Sequence, residues 1–74
     1  MKQTSQKLDK VLRMKMLNEK TGVSRSATYN KLDPASKYFD PTFPKPIRLG
    51  ARTVGWRESE VEAWIASRAL ARNA

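Results

Sequence analysis

The chain has 74 residues, with 15 Lys and Arg against 7 Asp and Glu, a formal net charge of +8, and neither Cys nor His. One small domain is the most this length supports, and the missing residue types exclude disulfides, zinc sites built on thiolate or imidazole, and Ser-His-Asp or Cys-His catalysis. No apolar run approaches the roughly 18 residues of a membrane span and no signal-peptide segment follows Met1, so a cytoplasmic location is expected.

The positive charge is regional. Residues 1–32 hold eight cations and two acids, residues 33–56 four and two, and residues 57–74 three and three. A charge kept for solubility would be spread evenly, whereas an excess confined to one region reads as the footprint of a polyanion.

In chain order, residues 1–10 include Gln3, Thr4, Ser5 and Gln6 and are expected to form a flexible arm before a single domain over 11–74. Val11 and Leu12 suit either a short strand or a docking point on the core. Met14, Leu17 and Thr21 at helical spacing predict a helix over about 15–21, ended by Gly22, since the residue past a helix end often needs positive φ. Val23 follows as an apolar plug, and Ser24 is a ready N-cap for a second helix over 25–32. Asp33-Pro34 stops it, because proline disfavours helical geometry in the residue before it. Residues 33–46 contain all four prolines and read as an extended loop.

From Pro46 to Trp56 the alternation predicts a β-hairpin. Ile47 and Leu49 share one side, Gly50, Ala51 and Arg52 turn the chain, and Val54 and Trp56 return to that side, leaving Arg48 and Thr53 on the opposite, solvent face. Helical period resumes over about 57–70, where Val61, Trp64, Ile65 and Ala69 form an apolar stripe. Glu58, Glu60 and Glu62 near its start and Arg68 and Arg72 near its end match the helix dipole. Trp56 and Trp64 belong to the core; Tyr38 and Phe39 either cover it from the loop or form a partner-binding patch.

The string LNEKTGVSRS, Leu17 to Ser26, supplies a helix, a Gly-containing turn, an apolar plug and a Ser-capped second helix, the pattern of a helix-turn-helix. In such a unit the second helix lies in the DNA major groove, its N-terminal residues nearest the base edges. Capping N–H groups and the helix dipole favour a phosphate, and Arg can contact guanine through two hydrogen bonds. The candidate DNA contacts on this helix are Ser24, as cap and phosphate donor, Arg25, on a base or phosphate, and Ser26 and Asn30, on bases. Tyr29 either reaches a phosphate or sugar or covers the turn, and the Lys31 stem either reaches out or lies on apolar surface. Arg48, Arg52 and Thr53 are the hairpin candidates, for backbone or minor-groove contact.

The segments VLRMK, TGVSRSATYNKL, TFPKPIRLGARTVGW and SEVEAWIASR resemble the AlpA family of small phage and prophage regulators, which has excisionase-like relatives. The likeness runs from about Val11 to Arg68, and FPKPIRLG, VGW and EVEAWI are its most specific parts. The resemblance implies a mainly α fold with a small β-hairpin, a MerR-like winged helix-turn-helix that binds double-stranded DNA. It implies a sequence-specific transcriptional regulator of a phage, prophage or other mobile element, including control of integrase genes, with an excisionase as the nearest alternative. Thr28 stands where the family usually has Leu or Ile, and residues 33–42 exceed the short EGEFP-type link of many members.

One such module makes few contacts, so more than one copy on adjacent DNA sites is expected, in a cytoplasmic protein held on the nucleoid. No cofactor, metal ion, membrane or catalytic residue is expected. Glu58 and Glu62 lie one turn apart, as an acid–base pair would, but the helix dipole already accounts for them. A rival of another class is a protein-binding adaptor using Tyr38, Phe39 and Met16; RNA binding lacks an aromatic stacking platform.

Overall fold

The computed structural model describes residues 9–72; most of the expected arm, residues 1–8, lies outside the described residues. The elements in order are β1 (Val11–Leu12), α1 (Met14–Thr21), α2 (Arg25–Leu32), β2 (Ile47–Arg48), β3 (Val54–Arg57) and α3 (Glu58–Arg72). Asp9 and Lys10, assigned to the arm by composition, are bonded to α3.

Both breaks around α2 form as the local chemistry dictates. Gly22 adopts φ 75°, and its N–H reaches the Asn18 carbonyl to close α1. Ser24 is extended, and its hydroxyl accepts from the Ala27 N–H at 3.1 Å, capping α2. Val23 between them is half-buried against the core. The three-residue link 22–24 therefore redirects the chain between two helices.

The sheet has three strands rather than the two of a hairpin, in the order β1-β3-β2, antiparallel throughout. Its register overturns the expected facing of the hairpin. Ile47 pairs with Gly55 and Arg48 with Val54, so Arg48 shares a face with Val54, Trp56 and Leu12, while Ile47 lies on the other face with Val11. Ile47 and Leu49 therefore do not join Trp56 in the core; both are exposed, as is Val54. The physical reason lies at Gly55. A methyl group there would sit 2.5 Å from Val11 Cγ1 and 3.1 Å from both the Leu12 carbonyl oxygen and Leu49 Cδ1. Only a residue without a side chain lets Val11 and Leu49 close over the outer face of the central strand.

The core consists of Leu12, Leu17, Phe43, Trp56, Val61 and Trp64, with Met14, Val23, Leu32 and Ile65 packed around it. Each indole has its partner: Trp56 Nε1 donates to the Pro44 carbonyl and Trp64 Nε1 to Asp40 Oδ2, both at 3.1 Å. Phe43 meets Trp64 edge to face, with ring centroids 4.9 Å apart, a pairing worth about 0.5–1.5 kcal/mol beyond its buried area. The α3 stripe runs through Val61, Trp64 and Ile65 but not Ala69, which is exposed because the helix extends past the core.

Residues 33–46 are a chain of turns, not an extended loop. The carbonyls of Asp33, Ser36 and Asp40 each accept from the N–H three residues on, and their side-chain oxygens accept from the N–H two residues on. This is the Asx-turn and Ser-turn chemistry that competes with helix. The Asp40 N–H also reaches back to the Lys31 carbonyl at 2.9 Å. Phe43 is the side chain that covers the core from this segment; Tyr38 and Phe39 stay exposed.

No Ser, Thr, Asp or Asn directly precedes α3, and its cap comes from 50 residues away. Asp9 accepts from the Ser59 N–H and hydroxyl and from Arg57 Nε, at 3.1, 2.8 and 2.8 Å, while the Glu58 N–H donates to the Lys10 carbonyl. Hydrogen bonds from the Ser59 hydroxyl and N–H, then from Arg57, hold the Asp9 carboxyl below the usual carboxylate range.

Candidate nucleic-acid interface

Helix α2 buries one side chain, Thr28. Its hydroxyl donates to the Ser24 carbonyl at 2.8 Å and accepts from Asn18 Nδ2 at 3.2 Å, so a polar pair joins the two helices. Thr28 thereby fixes the rotation of α2 about its own axis. Ser26 and Asn30 lie on the side of the helix opposite Thr28, with Tyr29 beside them and Arg25 in the first turn.

Arg25, Ser26, Tyr29 and Asn30 are all exposed. The Arg25 guanidinium lies 5.8 Å from the Tyr29 ring centroid, one helical turn on. Tyr29 is 52% exposed. Ser24 is exposed with its oxygen engaged in the cap, leaving its O–H as a donor. Lys31 does not join this group: it is half-buried, with Nζ 5.6 Å from the Trp64 ring centroid, so its stem lies against α3.

In the hairpin, Arg48 and Arg52 are exposed and Thr53 is half-buried. Arg48 Nη1 donates to the Ala51 carbonyl at 2.9 Å, bracing the loop, and the Thr53 carbonyl accepts from the N–H groups of Leu49 and Gly50. The expected pairing of Arg48 with Thr53 on one face does not form, since Arg48 lies opposite Val54.

The electrostatics follow from where the acids are spent. Among the described residues the ion pairs are Lys20 with Glu58 and Glu62, at 3.3 and 3.1 Å, and Arg57 with Asp9, all at the start of α3. Hydrogen bonds from Lys20 to Glu62 and then Glu58 raise the Lys20 pKa. Glu58 and Glu62 thus grip a lysine of α1. Burial pushes Asp40 up, but hydrogen bonds from Thr42 and Trp64 and the charge of Arg68 outweigh it, so its carboxyl is held below the usual range. No acid occurs from Lys20 to Leu32 or from Pro41 to Arg57, which leaves α2 and the hairpin acid-free.

Two residues escape a reading of the sequence alone, and for a third, Tyr38, the sequence allows either covering the core or forming a partner-binding patch. Asn18 is a polar residue on the inward side of α1, and its partner lies on another helix. Phe43 sits among prolines, where no period marks it. Tyr38 faces α2 across a groove bounded by Ser26, Ala27, Asn30 and Lys31.

The family model described as "Prophage CP4-57 regulatory protein (AlpA)" matches residues 10–69. The chain belongs to the AlpA family. One AlpA relative, from Escherichia coli (strain K12), is named "DNA-binding transcriptional activator AlpA"; it is 41% identical over 59 residues, covering 80% of this chain and 84% of that protein. A second, "Uncharacterized protein ORF88" of Enterobacteria phage P4, is 33% identical over 64 residues, covering 86% of this chain and 66% of that protein. No solved structure matches. The AlpA match spans every residue of the helix pair and the sheet, so both candidate contact elements lie inside it. Among the described residues no helix is long and apolar enough to cross a membrane.

Proposed function

We propose that this AlpA-family chain binds double-stranded DNA sequence-specifically as a transcriptional regulator of a phage, prophage or related mobile element. The outward face of α2 enters the major groove, and the β2–β3 hairpin holds adjacent backbone or minor groove. One observation carries the reading: Arg25, Ser26, Tyr29 and Asn30 stand exposed on an acid-free helix whose rotation is set by Thr28. Arg25 reads a base, Ser26 and Asn30 hydrogen-bond base edges, Ser24 and Tyr29 hold phosphate, and Arg48 and Arg52 supply backbone contacts. Thr53 contributes through the carbonyl that shapes the hairpin loop.

The relative named as a DNA-binding transcriptional activator supports this reading, as does the regional positive charge. A single module of this size buries too little surface for high specificity, so copies bind on adjacent sites. The working location is the cytoplasm, on DNA, and no chemistry on the substrate is part of the reading.

The test is selection of bound duplexes from a random-sequence pool by the full chain, followed by a reporter driven by a promoter carrying the enriched motif. One enriched motif and altered reporter output are expected. A pool that emerges without enrichment contradicts the reading. Altered excision of an element with no effect on the reporter assigns the binding to a recombination directionality role instead.

A further inference from the structure

The segment after α2 does more than connect. Ser36 Oγ donates to Asn30 Oδ1 at 3.4 Å and accepts from the Tyr38 N–H at 3.1 Å, so one hydroxyl links the exposed face of α2 to the turn that follows. The turn is held at both ends: the Ser36 N–H bonds the Asp33 carbonyl, and the Asp40 N–H bonds the Lys31 carbonyl. Tyr38 is displayed on this fixed support with 61% of its surface exposed, and Lys37 Nζ lies 5.3 Å from its ring centroid. Between Tyr38 and the α2 residues Ser26, Ala27, Asn30 and Lys31 runs a groove of about 250 Å³.

The chemistry of that groove is one-sided. Hydroxyls, an amide and ammonium groups line or flank it, and no carboxylate is among its walls. The two acids of the segment are engaged in local hydrogen bonds: exposed Asp33 accepts from the Ala35 N–H, and half-buried Asp40 accepts from Thr42 and Trp64. An exposed phenol whose ring centroid lies 5.3 Å from an ammonium, next to an acid-free helix, is a donor set for a phosphodiester.

We propose that the turn Ser36–Phe39 is a further DNA-contacting element, in which Tyr38 Oη and Lys37 Nζ hold a backbone phosphate alongside α2. The occupant is the DNA backbone itself, and the inference rests on the reading of α2 as the groove-entering helix. By this account Tyr38 fixes the register of α2 through a contact on a neighbouring strand position, and Asn30 is oriented by Ser36 as part of the same unit. An acidic protein partner would use the same donors and is an outcome the test distinguishes.

The experiment uses the full chain and a duplex enriched by it from a random pool, prepared with single neutral methylphosphonates at successive positions. Lys37→Ala and Tyr38→Phe are each expected to weaken binding about threefold to tenfold, and Lys37→Ala to shallow the log–log salt dependence by about 0.9. One methylphosphonate position should weaken the wild type and leave a Lys37→Ala/Tyr38→Ala variant unaffected. Both side chains are exposed, and an unchanged amide spectrum confirms that the variants remain folded. Full affinity and slope in these variants, with Arg25→Ala still weakened, overturns this inference and leaves the α2 reading standing. A wild type that binds no duplex removes both. Binding to an acidic peptide that depends on Lys37 and Tyr38, with duplex affinity unchanged, reassigns the turn to a protein partner and overturns the proposal.

Discussion

Arg25 occupies the first position of α2, where a guanidinium can reach base edges while the Ser24 cap holds the helix start in place. Its replacement by Ala should cost about 1–3 kcal/mol on the enriched site and relax preference at one base pair, measured by competition among single-position site variants. Unchanged base preference would remove Arg25 from direct readout. Thr28 acts one step back from the ligand. Thr28→Val keeps the shape but leaves Asn18 Nδ2 without its acceptor, which should cost about 1 kcal/mol in denaturant unfolding. Pairing it with Asn18→Leu should restore most of that loss, because replacing both partners removes the unmet polar group. Gly55→Ala drives a methyl into Val11, the Leu12 carbonyl and Leu49 and should destabilise by about 1–3 kcal/mol. A neutral result would mean that β1 moves aside without cost. Local features such as Gly22 and Ser24 were legible in the sequence, since each acts on its own backbone. Gly55 was not, because its role depends on Val11 packing across the sheet.

At the scale of elements, α3 depends on a cap that its own sequence lacks. An acid whose pKa is lower in the folded than the unfolded state binds fewer protons when folded. Its contribution is therefore present above the unfolded pKa and lost as pH falls through the folded one. Asp9 and Asp40 both have that sign, whereas Lys20, with a raised pKa, contributes below the usual lysine range and loses its contribution as pH rises above it. With no His in the chain, the thermal midpoint should be flat between about pH 5 and 9 and fall below about pH 4. Asp9→Asn should blunt that acid-side fall; an identical pH profile would show that the cap contributes nothing. The three helices were legible because period, caps and Asp33-Pro34 are written in consecutive residues. The pairing of β1 with β3, the hairpin facing and the place of Phe43 were not. β1 is two residues long, the strand alternation fits either register, and Phe43 lies in a proline-rich stretch without period. On the hairpin itself, Arg52→Ala should weaken binding to all duplexes alike and shallow the salt slope by about 0.9. A loss confined to one sequence would make Arg52 a base reader instead.

Across the whole molecule, charge and structure divide the work. Among the described residues ion pairs gather at the start of α3, where Lys20 and Arg57 meet Asp9, Glu58 and Glu62, and Arg25 of α2 and Arg48 and Arg52 of the hairpin are left outward. The regional excess visible in the sequence thus becomes a surface property of α2 and the hairpin, while Asp9, Glu58 and Glu62 are engaged elsewhere. The candidate contacts on α2 were readable from the helix-turn-helix string, except that Lys31 turns to Trp64, a choice set by an aromatic ring 33 positions away in the chain. The central claim is that the outward face of α2 enters duplex DNA, and amide chemical shifts during titration with the enriched duplex at moderate ionic strength test it most directly. The account predicts that signals from Ser24 to Asn30 move together and saturate, while those of the buried Val61 and Trp64 hold still. Signals from Ser24 to Asn30 that stay in place while the duplex is bound elsewhere would contradict it.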